Sequence, residues 1–109
     1  MKSKWPVYTV NEIKKVLKVI KSNKVNYWTG EEGKKFETEF SKYFGLKYSL
    51  AVANASLGLE CALKALDIKK GDEVIVPSKS YVSSASCVVN VNAKPIFCDL
   101  NLNSQNVSS

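Results

Sequence analysis

Leu50-Ala-Val-Ala-Asn-Ala-Ser-Leu-Gly-Leu-Glu-Cys-Ala-Leu-Lys-Ala-Leu66 holds two periodicities end to end. Residues 50–53 are a short apolar run, which predicts one buried strand. Leu59, Ala62, Leu63 and Leu66 then recur at the i, i+3, i+4, i+7 spacing of a helix packed on a core. Asn54, Ala55 and Ser56 lie between them, at a strand-to-helix turn. The first N–H groups of a helix have no intrahelical partner, and the positive end of its dipole is there. Such a turn either only starts the helix, with Asn54 or Ser56 as N-cap, or also receives an anion such as a phosphate.

The helix turns that flank this stretch are set by local signals. Thr9-x-x-Glu12 is a capping-box pattern, and Val10, Ile13, Val16, Leu17 and Ile20 follow at helical spacing, predicting a helix over 10–21. Residues 22–26 break the period, and two asparagines there suit turn positions. Tyr27, Trp28, Thr29 and Gly30 form a loop. Thr29-x-x-Glu32 reads as a second capping box, Phe36, Phe40, Tyr43 and Phe44 as an apolar face, and Gly45 as the residue that closes the helix. Downstream, residues 69–72 are a polar turn, and residues 73–76 are a β-branched run expected of a strand buried on both faces. Pro77 stops it. Ser78-Lys79-Ser80-Tyr81 is another strand-to-helix turn, followed by a helical stripe at Val82, Ala85, Val88 and Val89. Residues 95–98 predict a third strand, and residues 101–109 a loop or frayed end. The pattern is an α/β parallel arrangement of three strands with crossover helices, preceded by two helices.

Composition narrows the function classes. The 109 residues carry a net charge of +6 with no histidine, and every basic residue is lysine. The lysines are scattered and arginine is absent, which speaks for a solvated surface and against nucleic-acid binding. Without histidine, Ser-His and Cys-His nucleophile pairs are excluded, and no metal site is expected. Cys61, Cys87 and Cys98 are an odd number without CxxC spacing, which suits a reducing compartment. No apolar run reaches membrane-spanning length and no signal peptide is recognisable, so a cytoplasmic, soluble protein is expected.

Ligands of open α/β sheets bind at the C-terminal ends of the strands, where both turns fall. The first offers amides and a hydroxyl, the second hydroxyls and an aromatic ring. A phosphate cradle beside an aromatic plate suits a phosphorylated flat ring such as pyridoxal phosphate, although Tyr81 taken alone also reads as a packing aromatic. The sheet also reads as unfinished, because the edge beside the last strand has nothing to pair with. The expectation is the opening portion of a larger enzyme.

The ordered set Trp28-Thr29-Gly30, Phe36-Glu37-x-Glu39-Phe40, Tyr43-Phe44-Gly45, Ala51-Val-Ala-Asn-Ala-Ser56, Gly71-Asp-Glu-Val-Ile-Val-Pro-Ser78, Tyr81 and Ala93-Lys-Pro-Ile-Phe-Cys-Asp99 resembles the start of the DegT/DnrJ-type sugar aminotransferases. These are pyridoxal phosphate enzymes of the aspartate aminotransferase fold, type I. The resemblance implies that residues 1–48 are an N-terminal helical segment with a substrate-side loop, and residues 49–109 an incomplete α/β cofactor-binding domain. It implies that Ala55 and Ser56 hold the cofactor phosphate, that Tyr81 stacks on the ring, and that Trp28, Thr29 and Gly30 lie near the substrate. Ser56 and Ser80 replace the family's commoner threonines and keep the hydroxyl.

The implied substrates are a nucleotide-linked keto sugar and an amino donor, glutamate, with a homodimer as the complete assembly, serving polysaccharide or deoxyamino-sugar biosynthesis. The family's Schiff-base lysine and the acidic partner of the pyridinium nitrogen lie downstream, so no catalytic residue is assigned and the segment alone is expected to be inactive. Lys79 occupies a variable place in its segment and reads as a surface lysine. Two other readings stay open: a stand-alone phosphate- or nucleotide-binding module, which lacks G-x-G-x-x-G and P-loop glycines here, and a non-catalytic partner subunit.

Overall fold

The structure, a computed structural model, describes residues 5–107. The chain divides into two units, Met1–Ala51 and Val52–Ser109. The first unit carries two helices, α1 (Val10–Lys21) and α2 (Glu32–Phe44). At the start of α1 the Thr9 hydroxyl oxygen accepts from the Glu12 amide at 3.3 Å, and Glu12 accepts from the Thr9 amide at 2.6 Å. A cap of this kind contributes about 1 kcal/mol. The bond from the Thr9 amide first, and a second one that the Thr9 hydroxyl donates to the same carboxylate oxygen at 2.7 Å, hold the Glu12 carboxyl below its ordinary value.

The second expected capping box does not form. Glu31 is the N-cap of α2 and no side chain caps the helix. Thr29 is engaged elsewhere: its amide and its hydroxyl both donate to Asn26 Oδ1, at 2.9 and 3.0 Å. Asn26 therefore takes the Thr29 amide that a capping box would give to the Glu32 carboxylate. The other end of α2 follows its sequence. Gly45 has φ +65°, and the next amide, that of Leu46, returns to the Ser41 carbonyl at 2.9 Å. Phe36, Phe40 and Phe44 form a ladder along the helix, with ring centroids 5.7 and 4.6 Å apart.

The second unit runs α3 (Ala55–Ala65), β1 (Glu73–Pro77), α4 (Ser83–Asn90) and β2 (Lys94–Cys98). The two strands are parallel, in a register that sets Glu73 against Lys94 and Pro77 against Cys98. Helix α4 crosses between them and packs on both strands, and α3 packs on α4. Val76, Cys87, Val88, Val91 and Ala93 are the buried core, with Leu63, Ile68, Val74 and Ala85 packed against it. The turn before β1 is built as its composition suggests. The Lys69 amide donates to Asp72 Oδ2 at 2.8 Å, and Gly71 takes φ +103°, a conformation that favours glycine.

Two expectations change here. Residues 50–53 are not a strand, so the described sheet has two strands rather than three. A strand exists through its ladder, and no segment among the described residues pairs with 50–53. Residues 73–76 are not buried on both faces: Val76 is buried, whereas Ile75 is 68% exposed, as is Phe97 of β2 at 62%. Of the two readings of the last segment, loop or frayed end, residues 101–107 take the loop. Asn101 Oδ1 accepts from the amides of Asn103 and Ser104, and Leu100 bridges Val107 in antiparallel fashion. Residues 108–109 lie outside the described residues.

Candidate functional site

The turn into α3 is organised by Asn54. Its backbone is extended, and its Oδ1 accepts from the Leu57 amide at 3.0 Å, while its carbonyl accepts from the Gly58 amide at 3.1 Å. Asn54, not Ser56, is thus the N-cap. The amides of Ala55 and Ser56 are left over: a first-turn N–H has no carbonyl a turn behind it to bond. Ser56 is half-buried and Ala55 exposed. Two free amides, one hydroxyl and the positive end of a helix dipole form a donor set that suits a phosphate group.

The turn after β1 is the second element. The Ser78 amide donates to the Cys98 carbonyl at 3.1 Å, which carries the parallel pairing one residue beyond β1. Ser80 and Ser84 share a hydroxyl–hydroxyl hydrogen bond of 2.7 Å, and the Tyr81 carbonyl accepts from the Ser84 amide at 3.0 Å. The Tyr81 ring is 75% exposed. The ring is therefore not packed within its own unit. Lys79 Nζ donates to Gln105 Oε1 at 3.0 Å, which directs it to the 101–107 turn. Helix α4 begins at the C-terminal edge of the strand pair. Helix α3 leads through residues 66–72 to the N-terminal edge of the strand pair, where β1 begins.

The loop at 27–30 belongs to the first unit. Asn26 heads it, accepting from Trp28 and Thr29, and the Gly30 amide closes it on the Asn26 carbonyl at 2.7 Å. Trp28 is 87% exposed and meets the Tyr27 ring edge-on. Gly30 has a packing reason of its own. A Cβ there would stand 2.7 Å from the Lys24 carbonyl oxygen and 2.8 Å from that of Asn26.

Two residues absent from the sequence-based set organise this loop. Asn26 is signalled by its place two residues before Trp28, the spacing of an Asx turn. Glu37 carries no such signal. One of its carboxylate oxygens accepts from the Tyr27 hydroxyl at 3.1 Å, and the other from the Ala51 amide at 2.8 Å. The bond to Glu37 raises the Tyr27 phenol above its usual 10.0.

A parallel strand pair with an amide cradle at one helix start and an exposed aromatic after a strand end is the opening of the α/β domain of fold type I pyridoxal phosphate-dependent transferases. The aminotransferase of Psychrobacter cryohalolentis, a solved structure, is 48% identical and superimposes with a TM-score of 0.86, over 91% of this chain and 25% of its own. A Streptococcus pneumoniae protein solved in its PLP form is 30% identical, with a TM-score of 0.83 over 94% of this chain and 26% of its own. Residues 6–109 match the DegT/DnrJ/EryC1/StrS aminotransferase family, and the chain belongs to that family. The GDP-perosamine synthase of Vibrio cholerae is 39% identical over 74% of this chain and 23% of its own length. The chain thus spans about a quarter of the length of these relatives.

Proposed function

We propose that this chain is the cofactor-phosphate and substrate-loop portion of a pyridoxal phosphate-dependent sugar aminotransferase. In this reading Ala55 and Ser56 hold the phosphate through two amides and a hydroxyl, and Tyr81 covers one face of the ring. The carrying observation is the Asn54 cap, which takes the Leu57 amide and leaves those of Ala55 and Ser56 for a ligand. The bound cofactor supplies an electron sink for amino transfer. The chain's own residues bind and orient it and contribute contacts to the sugar. Residues 1–48 provide the substrate side, with Trp28, Thr29 and Gly30 facing the sugar, and residues 49–109 provide the cofactor side.

The substrate class is a nucleotide-linked keto sugar with glutamate as amino donor, in the cytoplasm and in a homodimer. Support for the sugar comes from the name of the Vibrio cholerae relative, a GDP-linked sugar synthase. In this reading no residue of the chain is assigned the proton transfers, and amino transfer by the chain alone is not expected.

The test is a graft in which residues 6–109 replace the matching quarter of the Psychrobacter cryohalolentis enzyme. The graft is expected to bind pyridoxal phosphate and to move the amino group of glutamate to a GDP- or UDP-linked keto sugar. A folded graft that binds the cofactor yet aminates only keto acids would overturn the sugar reading.

A further inference from the structure

Glu37 lies on α2 with its side chain between two segments that the proposed function uses separately. Its Oε2 accepts from the Tyr27 hydroxyl at 3.1 Å, and its Oε1 from the Ala51 amide at 2.8 Å. Its own main chain is held as well, because its carbonyl accepts from the hydroxyls of Ser41 and Ser49. The two hydroxyl oxygens lie 2.8 Å apart. Tyr27 is seated by more than this bond. Gly33 passes beneath it so closely that an added Cβ would come within 3.0 Å of the ring, and the Lys34 ammonium stands 6.0 Å from the ring centroid. The Tyr27 ring in turn meets Trp28 edge-on, with centroids 6.1 Å apart.

We infer that Glu37 is a positioning residue that holds the substrate loop through Tyr27 and the backbone leading into the phosphate turn through Ala51. This rests on the reading of residues 27–30 and 54–56 given above. One carboxylate serves both segments, with one oxygen for each. Ala51 precedes the Asn54 cap by three residues. A carboxylate suits the task because it accepts at both oxygens without needing a donor of its own. Glutamine has the same shape and keeps both contacts: its oxygen accepts from Ala51 and its amide donates to the tyrosine oxygen. Alanine keeps neither.

The inference is tested on the chain and on the graft together. In the chain, Glu37→Ala is expected to speed hydrogen exchange of the Ala51 amide about tenfold and to return the Tyr27 phenol to its ordinary titration. It should also shift the amide resonances of residues 28–30. Tyr27→Phe should shift residues 28–30 while leaving Ala51 exchange as it is.

In the graft, Glu37→Ala should raise both the sugar KM and the cofactor Kd about tenfold. Tyr27→Phe should raise KM alone, by about threefold, and Glu37→Gln should stay within about twofold of the parent on both. Unchanged Ala51 exchange in Glu37→Ala, or an alanine variant that matches the parent in KM and Kd, overturns the inference. A parent graft that binds no cofactor overturns the proposed function instead, and the exchange measurement on the chain still decides the role of Glu37.

Discussion

Replacing Ser56 with alanine in the graft is expected to weaken pyridoxal phosphate binding by roughly ten- to a hundredfold. The Ser56 hydroxyl would donate to a charged phosphate, and a hydrogen bond of that kind contributes about 1.5–3 kcal/mol. Binding should weaken and not vanish. The amides of Ala55 and Ser56 are backbone groups, and the cap that frees them is made by Asn54, which the substitution leaves alone. Tyr81→Ala should add a separate loss, about 0.5–1.5 kcal/mol beyond the area it uncovers, together with a change in cofactor absorbance. Tyr81→Phe should bind like the parent, since the ring and not the hydroxyl does the stacking. Titration of the apoenzyme followed by absorbance reads all three variants. If Ser56→Ala and Tyr81→Ala both titrate like the parent, the site lies elsewhere in the fold.

Gly30→Ala is expected to damage the substrate loop more than its single methyl group suggests. The new Cβ would be within 2.8 Å of two carbonyl oxygens, those of Lys24 and Asn26, and both are backbone atoms that cannot rotate away. The Gly30 amide is bonded to the second of these at 2.7 Å, so relieving the clash opens the Asn26 turn. Overpacking of this kind costs about 1–3 kcal/mol, and the opened loop should raise the sugar KM at least about tenfold with cofactor binding unchanged. Gly45→Ala is the control. Nothing lies within 4 Å of a Cβ there, and only the φ of +65° opposes it. That strain costs about 1–2 kcal/mol, and it should lower the melting temperature without touching KM. Equal KM values for the two variants would assign Gly30 to stability alone.

What the sequence revealed depended on how local each determinant is. Helix α1 was fully legible, because its capping box and its apolar period lie within the same residues that form it. The end of α2 was legible for the same reason, since Gly45 acts on the turn it closes. Its beginning was not: the Thr29–Glu32 spacing is sound in itself, and the competing acceptor on Asn26 decided the outcome. The segment at 50–53 has the composition of a strand, but strand formation depends on a partner, and composition does not report one. In β1 the β-branched run predicted burial on both faces, while the packing of α4 buries Val76 and leaves Ile75 open.

The candidate site divides along the same line. Asn54, Ala55 and Ser56 are contiguous, so their arrangement followed from a single strand-to-helix turn. Tyr81 stands four residues beyond a strand that ends at Pro77, so its position past the strand end could be read from the sequence. Glu37 could not, because its two partners, Tyr27 and Ala51, lie on opposite sides of it in the chain and far from it in sequence. Only the folded first unit brings the three together.

The central claim is that the free amides at the start of α3 hold the cofactor phosphate. A crystal structure of the graft loaded with pyridoxal phosphate tests it most directly. The account predicts phosphate oxygens within about 2.7–3.2 Å of the Ala55 amide, the Ser56 amide and the Ser56 hydroxyl, with the Tyr81 ring stacked on the pyridine. A phosphate bound away from the Asn54 turn, with those amides left to solvent, would contradict it.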